Sequence, residues 1–524
     1  MAVLERLHLP QAAPGQAVAP PRRLLTYAPA LLITVVVAVQ LVNVTGYPAI
    51  DDDEGTYLAQ AWALRQGSLA HYTYWYDHPP VGWLQIGAFS WIPELLFRDG
   101  LAVAAGRFIM PLVTGISALL LWIIARRLRF SPLAAGAAVL LFTLSPIALT
   151  LQRQLYLDNI AVPWVLGAYA LALSPSRHLG HHVASGVCAA IAVLTKETML
   201  LAVLPVAYTM WRTADPHTRT FSLAGLGSGL VLTGALYPLY ALLKGELLPG
   251  PDHVSLWDAV RFQLSDRPPS GNMFVSGTGA NELLTAWLAT DPVIVVGGAL
   301  SVVAGMAFSR LRPVALGGMI LMVVGMRPSG YLPAMYIIGL LPFFAICAAG
   351  IAETLLRTAA RALGRLPLPL RALPLVLRLR RLRPWFLAAT VVAAAGAVLA
   401  VWLPGQARVL TVDANADRRA ALEFFRGAVA EPQGVKVLVD DALWLDLRNS
   451  GFDPVWFYKA DLDSAVRKEL PGGWRDFDYV ISSGIMRQDA ARLPTVRDTL
   501  THSTPLTGFG EGYARIEIRR VYGG

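Results

Sequence analysis

Four carboxylates stand side by side at residues 51–54, in the stretch DDDEG, soon after an apolar run that ends near Gly46. A carboxylate at such a place can take a proton from an alcohol or coordinate a hard divalent cation. A cap formed by Asp52 or Asp53 at the start of a helix is the simpler interpretation, because one acid there satisfies free backbone N–H groups. Four adjacent acids also repel one another, so we expect a raised pKa for at least one of them unless a cation compensates. We therefore treat Asp53 and Glu54 as candidate catalytic residues, and as ligands if a divalent metal is bound.

Downstream, the stretch LAHYTYWYDHPP is dense in aromatic and polar side chains. Together with Tyr57, the residues Tyr76, Asp77 and His78 would form the wall of a site, and we list them as candidate substrate-binding residues. His71 and Asp77 lie near His78 in the sequence, so a metal site is an alternative, but no H-x-x-H or C-x-x-C spacing supports it, and hydrogen bonding to the protein or to a substrate is the favoured interpretation.

Two further groups of ionisable residues lie near apolar segments. Asp158, in LYLDN, is expected at the outer mouth of a membrane span, where an ionisable side chain is costly and usually has a partner. It is a candidate substrate-binding residue, with a helix N-cap as the alternative. Lys196 and Glu197 are adjacent and could simply pair with each other.

The composition identifies the elements that must position these residues. Of 524 residues, 55% are hydrophobic and only 15% are charged, and the mean hydropathy is +0.50, which predicts a polytopic α-helical membrane protein. The net charge of +9 comes from arginines in short segments between apolar runs, so it indicates a membrane surface and not nucleic acid. Cys188 and Cys347 lie in apolar runs and are expected to be packing residues.

Eleven apolar segments come near the length of a membrane-spanning helix. They are expected at about 25–46, 101–123, 131–150, 158–174, 182–195, 198–211, 221–243, 291–308, 314–326, 331–350 and 385–404. With residues 1–24 as a cytoplasmic tail, most arginines of the connections fall inside, including the basic loop 352–384, whose prolines argue against one clean helix. The first outer loop (47–100), the long outer loop (244–290) and the chain after residue 404 then lie outside.

The outer segments have their own predicted structure. In the first outer loop, residues 54–67 and 79–92 predict two helices lying along the membrane surface. The loop 244–290 combines an amphipathic helix with a glycine-rich stretch, and either closes over a substrate or is a plain connector. Residues 436–441, 477–482 and 513–521 predict strands and residues 413–428 a helix, so residues 405–524 are expected to form a small α/β domain.

The segment DDDEGTYLAQAWALRQGSLAHYTYWYDHPPVGW is similar to the first outer loop of the lipid-carrier-dependent glycosyltransferases of the C-type (GT-C) fold. It resembles the branch that contains the protein O-mannosyltransferases and the bacterial aminoarabinose transferases of lipid A. The similarity extends through QRQLYLDNIAVPW, LTKETML, LYPLYALLKGELLPG and RPSGYLPAMYIIGLLPFFA, which covers most of the membrane part. The resemblance implies a GT-C fold, a polyprenyl-phosphate sugar donor that enters from the bilayer, and transfer with inversion to an acceptor on the outer face.

By the same resemblance, Asp53 is the candidate general base, with Glu54 beside it. The departing lipid phosphate needs cations, and Arg327, Tyr331 and Lys196 are the candidate phosphate-binding residues, since a guanidinium offers paired donors. Snorkelling at the membrane interface is the plain alternative for Arg327. His78 departs from the aminoarabinose transferases, which tend to carry a lysine before the corresponding proline.

Two other functional classes share these features: a flippase for lipid-linked sugars, and a non-catalytic scaffold of cell-envelope synthesis. No G-x-x-x-x-G-K-[ST] or G-x-G-x-x-G motif follows a strand, which fits a donor carried by a lipid and not by a nucleotide. Expected partners are the polyprenyl-phosphate sugar, membrane lipid and a glycan, lipid or protein acceptor, and the expected location is the plasma membrane of a bacterium. The sequence specifies no cofactor, and a divalent metal ion bound by Asp53 or Glu54 is the alternative.

Overall fold

The computed structural model describes residues 22–92, 100–251, 253–365 and 373–522. Most of the predicted tail 1–24 and residues 366–372 of the predicted basic loop therefore lie outside the described residues. The first part of the chain is helical, as its apolar runs predict. Its helices are α1 (Arg22–Leu41), α2 (Asp52–Arg65), α3 (Val81–Phe89), α4 (Ala102–Gly106), α5 (Met110–Arg127), α6 (Pro132–Leu144), α7 (Pro146–Leu151), α8 (Leu157–Ala172), α9 (Leu179–Thr195), α10 (Val203–Thr213), α11 (Arg219–Gly234), α12 (Leu236–Leu243), α13 (Leu256–Arg261), α14 (Gly279–Thr290), α15 (Gly298–Gly305), α16 (Arg312–Gly325), α17 (Ile337–Arg365) and α18 (Leu373–Thr411).

Within the described residues, four helical stretches are long and apolar enough to cross a membrane: Ala102–Arg127, Arg219–Leu243, Ala334–Ala362 and Ala388–Ala428. A fifth is formed if the pair Gly279–Thr290 and Val293–Gly305, bent by 109°, is one span. Shorter apolar helices occupy five of the other six predicted positions, at Tyr27–Leu41, Pro132–Leu144, Leu157–Ala172, Leu179–Thr195 and Arg312–Gly325. The sixth, predicted at 198–211, holds α10. These helices agree with a polytopic membrane protein, and eleven crossings stay a prediction.

The segment after residue 372 differs from the expectation. The prolines of 361–384 argued against one helix, yet α18 runs unbroken from Leu373 to Thr411, through Pro384 and Pro404. Pro374 stands in its first turn, where the missing N–H is not needed. Leucine, arginine and alanine, which are strong helix formers, fill most other positions, so the helix persists across the two later prolines.

The chain after α18 forms a small α/β unit, residues 416–521. Its five-stranded sheet has the order β2-β1-β3-β5-β4, with β1 parallel to β2 and β3, and β5 antiparallel to β3 and β4. The predicted helix and the three predicted strands are confirmed as α19, β1, β3 and β5. The elements are α19 (Ala416–Ala428), β1 (Lys436–Val439), α20 (Asp441–Asn449), β2 (Asp453–Trp456), α21 (Phe457–Leu462), α22 (Ser464–Lys468), β3 (Tyr479–Ser482), α23 (Gly484–Asp489), α24 (Pro494–Thr501), β4 (Ser503–Phe509) and β5 (Ile516–Val521).

Helices α2 and α3 exist as predicted, but α2 does not lie open on a membrane surface. Most of its residues from Glu54 to Ala63 are buried, because α2 is wedged between α3 and α20 of the C-terminal unit. Gly55 permits the contact: a Cβ there would lie 2.3 Å from the backbone of Asp441. Helix α3 does expose Leu84 and Phe89, as an interfacial helix should.

Asn415, at the entry to the C-terminal unit, fastens that unit to the chain just before α2. Its side-chain amide donates to the carbonyl oxygens of Thr45 (3.0 Å) and Pro48 (3.0 Å), and its Oδ1 accepts from the backbone N–H of Ile50 (2.9 Å). The path of residues 45–50 into the acidic stretch is therefore fixed by a residue far along the chain.

Candidate active site around Asp53

The four acids at the start of α2 have four different environments. Asp51 is the N-cap: its Oδ1 accepts from the N–H of Asp53 at 3.0 Å, and its own N–H donates to Glu54 at 3.2 Å. The capping role predicted for Asp52 or Asp53 is thus wrong by one or two residues, because the capping box pairs the cap with the acid three positions later. Desolvation and the negative charges of Asp53 and Glu54 raise the pKa of Asp51 to about 6.

Glu54 is fully buried and forms a bidentate ion pair with Arg107, at 2.8 Å to Nε and 2.5 Å to a terminal nitrogen. It also accepts from the Gln154 amide (3.2 Å) and from the N–H of Leu155 (3.0 Å). Arg107 in turn donates to the Pro48 carbonyl at 2.7 Å. Glu54 thus holds together the loop before α2, the turn between α4 and α5 that carries Arg107, and residues 154–155.

Asp52 faces the C-terminal unit, where its Oδ1 accepts from the N–H of Asp441 at 3.1 Å. Burial and the charges of Asp441 and Asp440 raise its pKa well above the ordinary value. The pKa rise expected in the acidic stretch occurs at Asp51 and Asp52, but burial is its largest cause, and repulsion between acids only adds to it.

Asp53 is half-buried, and within the described residues its carboxylate forms no hydrogen bond or ion pair. It is close enough to Tyr57 and Lys196 for its charge to affect both side chains. Burial and then the Asp53 charge raise the pKa of the Tyr57 phenol, which stays a neutral donor at ordinary pH. Of the acidic stretch, Asp53 is the member that is neither a cap nor a framework contact.

Lys196, His78 and Glu197 form a compact triangular array, in which Lys196 is buried and His78 and Glu197 are partly buried. His78 lies between the other two, with Nε2 3.1 Å from the Lys196 ammonium and Nδ1 3.0 Å from Glu197 Oε2. Lys196 and Glu197 are themselves 3.8 Å apart, so the pairing considered from the sequence also exists. Lys196 is 4% exposed.

Both Lys196 and Glu197 keep their charges in this array. Burial lowers the pKa of Lys196, but Glu197, Asp158 and Asp53 together raise it above the ordinary value, so the ammonium stays charged. Burial raises the pKa of Glu197, but His78 and Lys196 outweigh it and lower the pKa, so the carboxylate stays ionised.

Asp158 is 2% exposed and sits in the first turn of α8, whose N-cap is Tyr156, so the N-cap alternative for Asp158 is wrong. Its charge acts on Lys196 and Tyr57. Its Oδ2 atom is buried without a hydrogen-bond partner in the described part of the chain. The structure therefore gathers Asp53, Tyr57, His78, Asp158 and Lys196 into one charged neighbourhood.

Tyr76 and Asp77 stand beside this cluster and connect it to the long outer loop. The Tyr76 hydroxyl donates to Glu246 at 2.6 Å, and Gln263 donates to the Asp77 carbonyl at 3.4 Å. The Asp77 side chain accepts from the N–H of His78 at 2.9 Å. The long loop is therefore tied to the site by specific contacts, which favours the interpretation as an ordered connector.

Arg327 and Tyr331 lie apart from the acids. Arg327 is exposed, and the exposed Tyr331 ring lies 3.5 Å from the guanidinium carbon of Arg267. Across the described ranges, no hydrogen bond or ion pair joins either residue to Asp53, Asp158 or Lys196. The link is indirect: both Arg327 and Asp158 act electrostatically on the buried Tyr336.

Sequence reasoning missed Arg107, Glu246 and Arg267. The signal for Arg107 was present, because an arginine at the start of an apolar run needs a buried carboxylate partner. The other two depend on how the long loop folds back, which no local pattern reveals. For a metal, the described residues contain no group of three or more His, Cys, Asp or Glu side chains that could hold one, and both oxygens of Glu54 are engaged.

Comparison with known proteins agrees with this architecture. Residues 77–239 match the family model of dolichyl-phosphate-mannose-protein mannosyltransferases, a segment that holds His78, Asp158 and Lys196. A search of curated proteins gave no match.

The chain is also similar to solved structures. ArnT from Cupriavidus metallidurans, bound to undecaprenyl phosphate, is 15% identical with a TM-score of 0.58, over 95% of this chain and 98% of that one. The apo oligosaccharyltransferase of Archaeoglobus fulgidus is 13% identical with a TM-score of 0.52, over 93% of this chain and 74% of that one. AglB from the same organism, with an inhibitory peptide and a dolichol-phosphate, is 12% identical with a TM-score of 0.51, over 94% and 74%. The predicted resemblance to GT-C glycosyltransferases is confirmed.

Proposed function

We propose that the protein is an integral-membrane, inverting glycosyltransferase that moves a sugar from a polyprenyl-phosphate carrier to an acceptor hydroxyl on the outer face of the membrane. The observation that carries the proposal is the division of labour among the four acids. Asp51 caps α2, Asp52 holds the C-terminal unit and Glu54 binds Arg107, which leaves the Asp53 carboxylate for chemistry.

Asp53 is the general base. It takes the proton of the acceptor hydroxyl while that oxygen attacks the anomeric carbon from the side opposite the phosphate. The bond between the anomeric carbon and the phosphate oxygen breaks, and the lipid phosphate leaves with the electron pair. The sugar gains positive character in the transition state, which the Asp53 charge also stabilises.

Lys196 binds the departing phosphate. A lipid phosphate already is a leaving group, so the protein must mainly orient the reactants and absorb the developing charge. The buried ammonium is held in place by His78, and Glu197 keeps it protonated. Arg327 and Tyr331, on the exposed side, receive the carrier phosphate as it enters, and Asp158 with Tyr57, Tyr76 and Asp77 contacts the sugar. The match to an ArnT structure bound to undecaprenyl phosphate supports this class of donor.

Glu54 acts on the reaction indirectly. Its carboxylate oxygens accept hydrogen bonds from Arg107, Gln154 and Leu155. Glu54 therefore cannot take a proton from the substrate hydroxyl without breaking a buried ion pair. It is a positioning residue that fixes the first turn of α2 and hence the place of Asp53.

The proposed location is the plasma membrane of a bacterium, with the site and the unit after residue 404 on the extracytoplasmic side. The acceptor is a glycan, a lipid or a protein. No nucleic acid takes part.

The test compares Asp53→Asn with Asp52→Asn in the full-length protein. Asp52→Asn is a matched control, because the amide oxygen can still accept from Asp441. Undecaprenyl-phosphate-linked mannose, glucose and arabinose are presented with envelope extract as the acceptor source, and released undecaprenyl phosphate is measured. We expect Asp53→Asn to lower turnover by about 10²- to 10⁴-fold and Asp52→Asn to retain most activity, with similar melting temperatures.

Near-normal turnover of Asp53→Asn would remove Asp53 from the mechanism. Movement of the lipid-linked sugar across vesicle membranes without release of undecaprenyl phosphate would favour a flippase.

A further inference from the structure

A cavity of about 270 Å³ lies on the other side of α2 from Asp53. Trp62 lines it, and the nine residues from Asp53 to Trp62 turn a helix by about 900°, which places the two side chains on opposite faces. Arg65, also at the cavity, is twelve residues from Asp53, a rise of about 18 Å along the axis. The cavity is therefore separate from the charged neighbourhood of Asp53.

The cavity is built where the first outer loop meets the C-terminal unit. Helix α2 forms one wall, residues 100–106 a second, and α20 with the end of α19 a third. The lining residues are Leu58, Trp62, Arg65, Gln66, Ser90, Gly100, Ala102, Ala105, Gly106, Arg426, Leu445, Asp446 and Asn449.

Asp446 is the residue that points to a ligand. It is 3% exposed, and its Oδ1 accepts from the N–H of Ala102 at 2.9 Å. Its Oδ2 is buried and, among the described residues, has no hydrogen-bond partner. Burial raises the pKa of this carboxyl to about 7, although the Ala102 N–H and the charges of Arg426 and Arg418 oppose the rise. A buried polar atom without a partner costs free energy, and a ligand that hydrogen-bonds to it would recover that cost.

Arg426 supplies donors at the same cavity. Its Nε donates to the Ser450 hydroxyl at 2.7 Å and one terminal nitrogen to the Asp446 carbonyl at 3.3 Å, so the guanidinium is held in a fixed orientation. Arg65, Gln66 and Asn449 stand at the exposed rim. The polar groups thus include both donors and acceptors.

The charges at the cavity favour a neutral ligand. A cation would meet Arg65 and Arg426, and an anion would meet the Asp446 carboxylate once that group has lost its proton. A neutral molecule with several hydroxyl groups can donate to Asp446 Oδ2 and accept from the guanidinium groups at once. Leu58, Trp62 and Leu445 offer an apolar wall for the C–H face of such a molecule.

We propose that this cavity binds one neutral sugar unit. If the proposed function holds, that unit belongs to an acceptor glycan that extends from the transfer site around α2, and this part of the proposal rests on the proposed function. Binding of the sugar unit itself does not depend on transfer. The cavity and the Asp53 site are then two subsites on one rigid helix.

The experiment measures saturation-transfer NMR of methyl mannoside, methyl glucoside and methyl galactoside with the full-length protein. Asp446→Asn keeps the acceptor for the Ala102 N–H but turns the free oxygen into a donor. Asn449→Trp blocks the rim from an exposed position that does not contribute to the core. Gln433→Ala, exposed on the same unit and outside the cavity, is the control, and Asp53→Asn separates this site from the proposed catalytic one.

At least one glycoside should bind the wild type, Gln433→Ala and Asp53→Asn alike. Asp446→Asn and Asn449→Trp should each bind it roughly tenfold more weakly, as expected for one lost hydrogen bond to a charged group. Equal binding by all variants, binding lost only in Asp53→Asn, absence of binding by every glycoside, or displacement of the sugar by inorganic phosphate would each overturn the assignment. Turnover that fails while sugar binding persists would contradict the proposed function and leave this site standing.

Discussion

Glu54, in the first turn of α2, and Asp446, in the neighbouring helix α20, are both buried carboxylates, but their hydrogen bonding differs. Both oxygens of Glu54 are occupied by Arg107, Gln154 and Leu155. Asp446 has one oxygen bound, and the other has no hydrogen-bond partner among the described residues. A fully bonded buried acid behaves as framework, whereas a partly bonded one keeps the capacity to bind something. The same distinction separates Glu54 from Asp53 in the acidic stretch, so burial alone does not identify a functional acid.

The largest effect on stability is expected at the buried ion pair between Glu54 and Arg107. Arg107→Met leaves Glu54 buried without a cation and should destabilise the protein by about 3–5 kcal/mol, read as a fall in melting temperature. Arg497→Met, at an exposed position, should leave the melting temperature unchanged. The double variant Glu54→Leu/Arg107→Met should recover a large part of the loss. If the single variant melts like the wild type, the ion pair is not framework.

A pH dependence of stability is expected from Asp446. The pKa of Asp446 is raised from 3.8 to about 7 in the folded protein, so between these values the folded state holds a proton that the unfolded state has released. By linkage, this carboxyl contributes stability at low pH that is lost as the pH rises to about 7, by at most about 4 kcal/mol. The Asp446→Asn variant lacks this titrating group. The melting temperature of the variant minus that of the wild type should therefore increase as the pH rises. Parallel pH profiles for the two proteins would show that Asp446 does not titrate in this range.

A substitution of Lys196 tests whether this buried cation binds phosphate or only supports the fold. Lys196→Met removes the buried ammonium, so the affinity for undecaprenyl phosphate should fall roughly 10- to 100-fold, the range for a lost charge-assisted hydrogen bond. Lys244→Met is the control, since Lys244 is half-exposed and pairs with Glu246 at 3.4 Å. Measuring the affinity below the melting temperature of each variant separates binding from folding. An unchanged affinity would mean that the array around His78 is framework, like Glu54.

A smaller effect on stability is expected at Gly55, where α2 packs closely against α20. Gly55→Ala places a Cβ 2.3 Å from the backbone of Asp441, so α2 and α20 must separate, at a cost of about 1–3 kcal/mol. Gly427→Ala, in α19 with open space around it, should be neutral or slightly stabilising. Melting temperatures of the two variants test this, and equal stability would show that the helix contact can yield.

The sequence predicted those parts of the molecule that depend on neighbouring residues. The periodicity of residues 54–67 and Gly67 gave α2, and the short apolar runs after residue 436 gave three of the five strands. The pairing of Glu54 with Arg107 was not predicted, because the partner is 53 positions away and no local pattern specifies it.

The burial of α2 escaped prediction for a related reason. Its apolar face resembles that of a helix on a membrane surface, and only the arrival of α20 across Gly55 makes it a core helix. At the site, the sequence identified the residues that the structure gathers around Lys196, but it could not tell which of the adjacent acids would be consumed by capping, by Asp441 or by Arg107.

The contacts of Asn415 have a consequence for biogenesis. Residues 45–50 emerge early during synthesis, yet the amide that fixes their path is residue 415 of 524. Until the ribosome has passed that point, the acidic stretch lacks its final anchor, although most of the apolar helices have already been made. The nascent protein therefore fixes the geometry of its acidic stretch late, after nearly all of its candidate membrane spans have been synthesised.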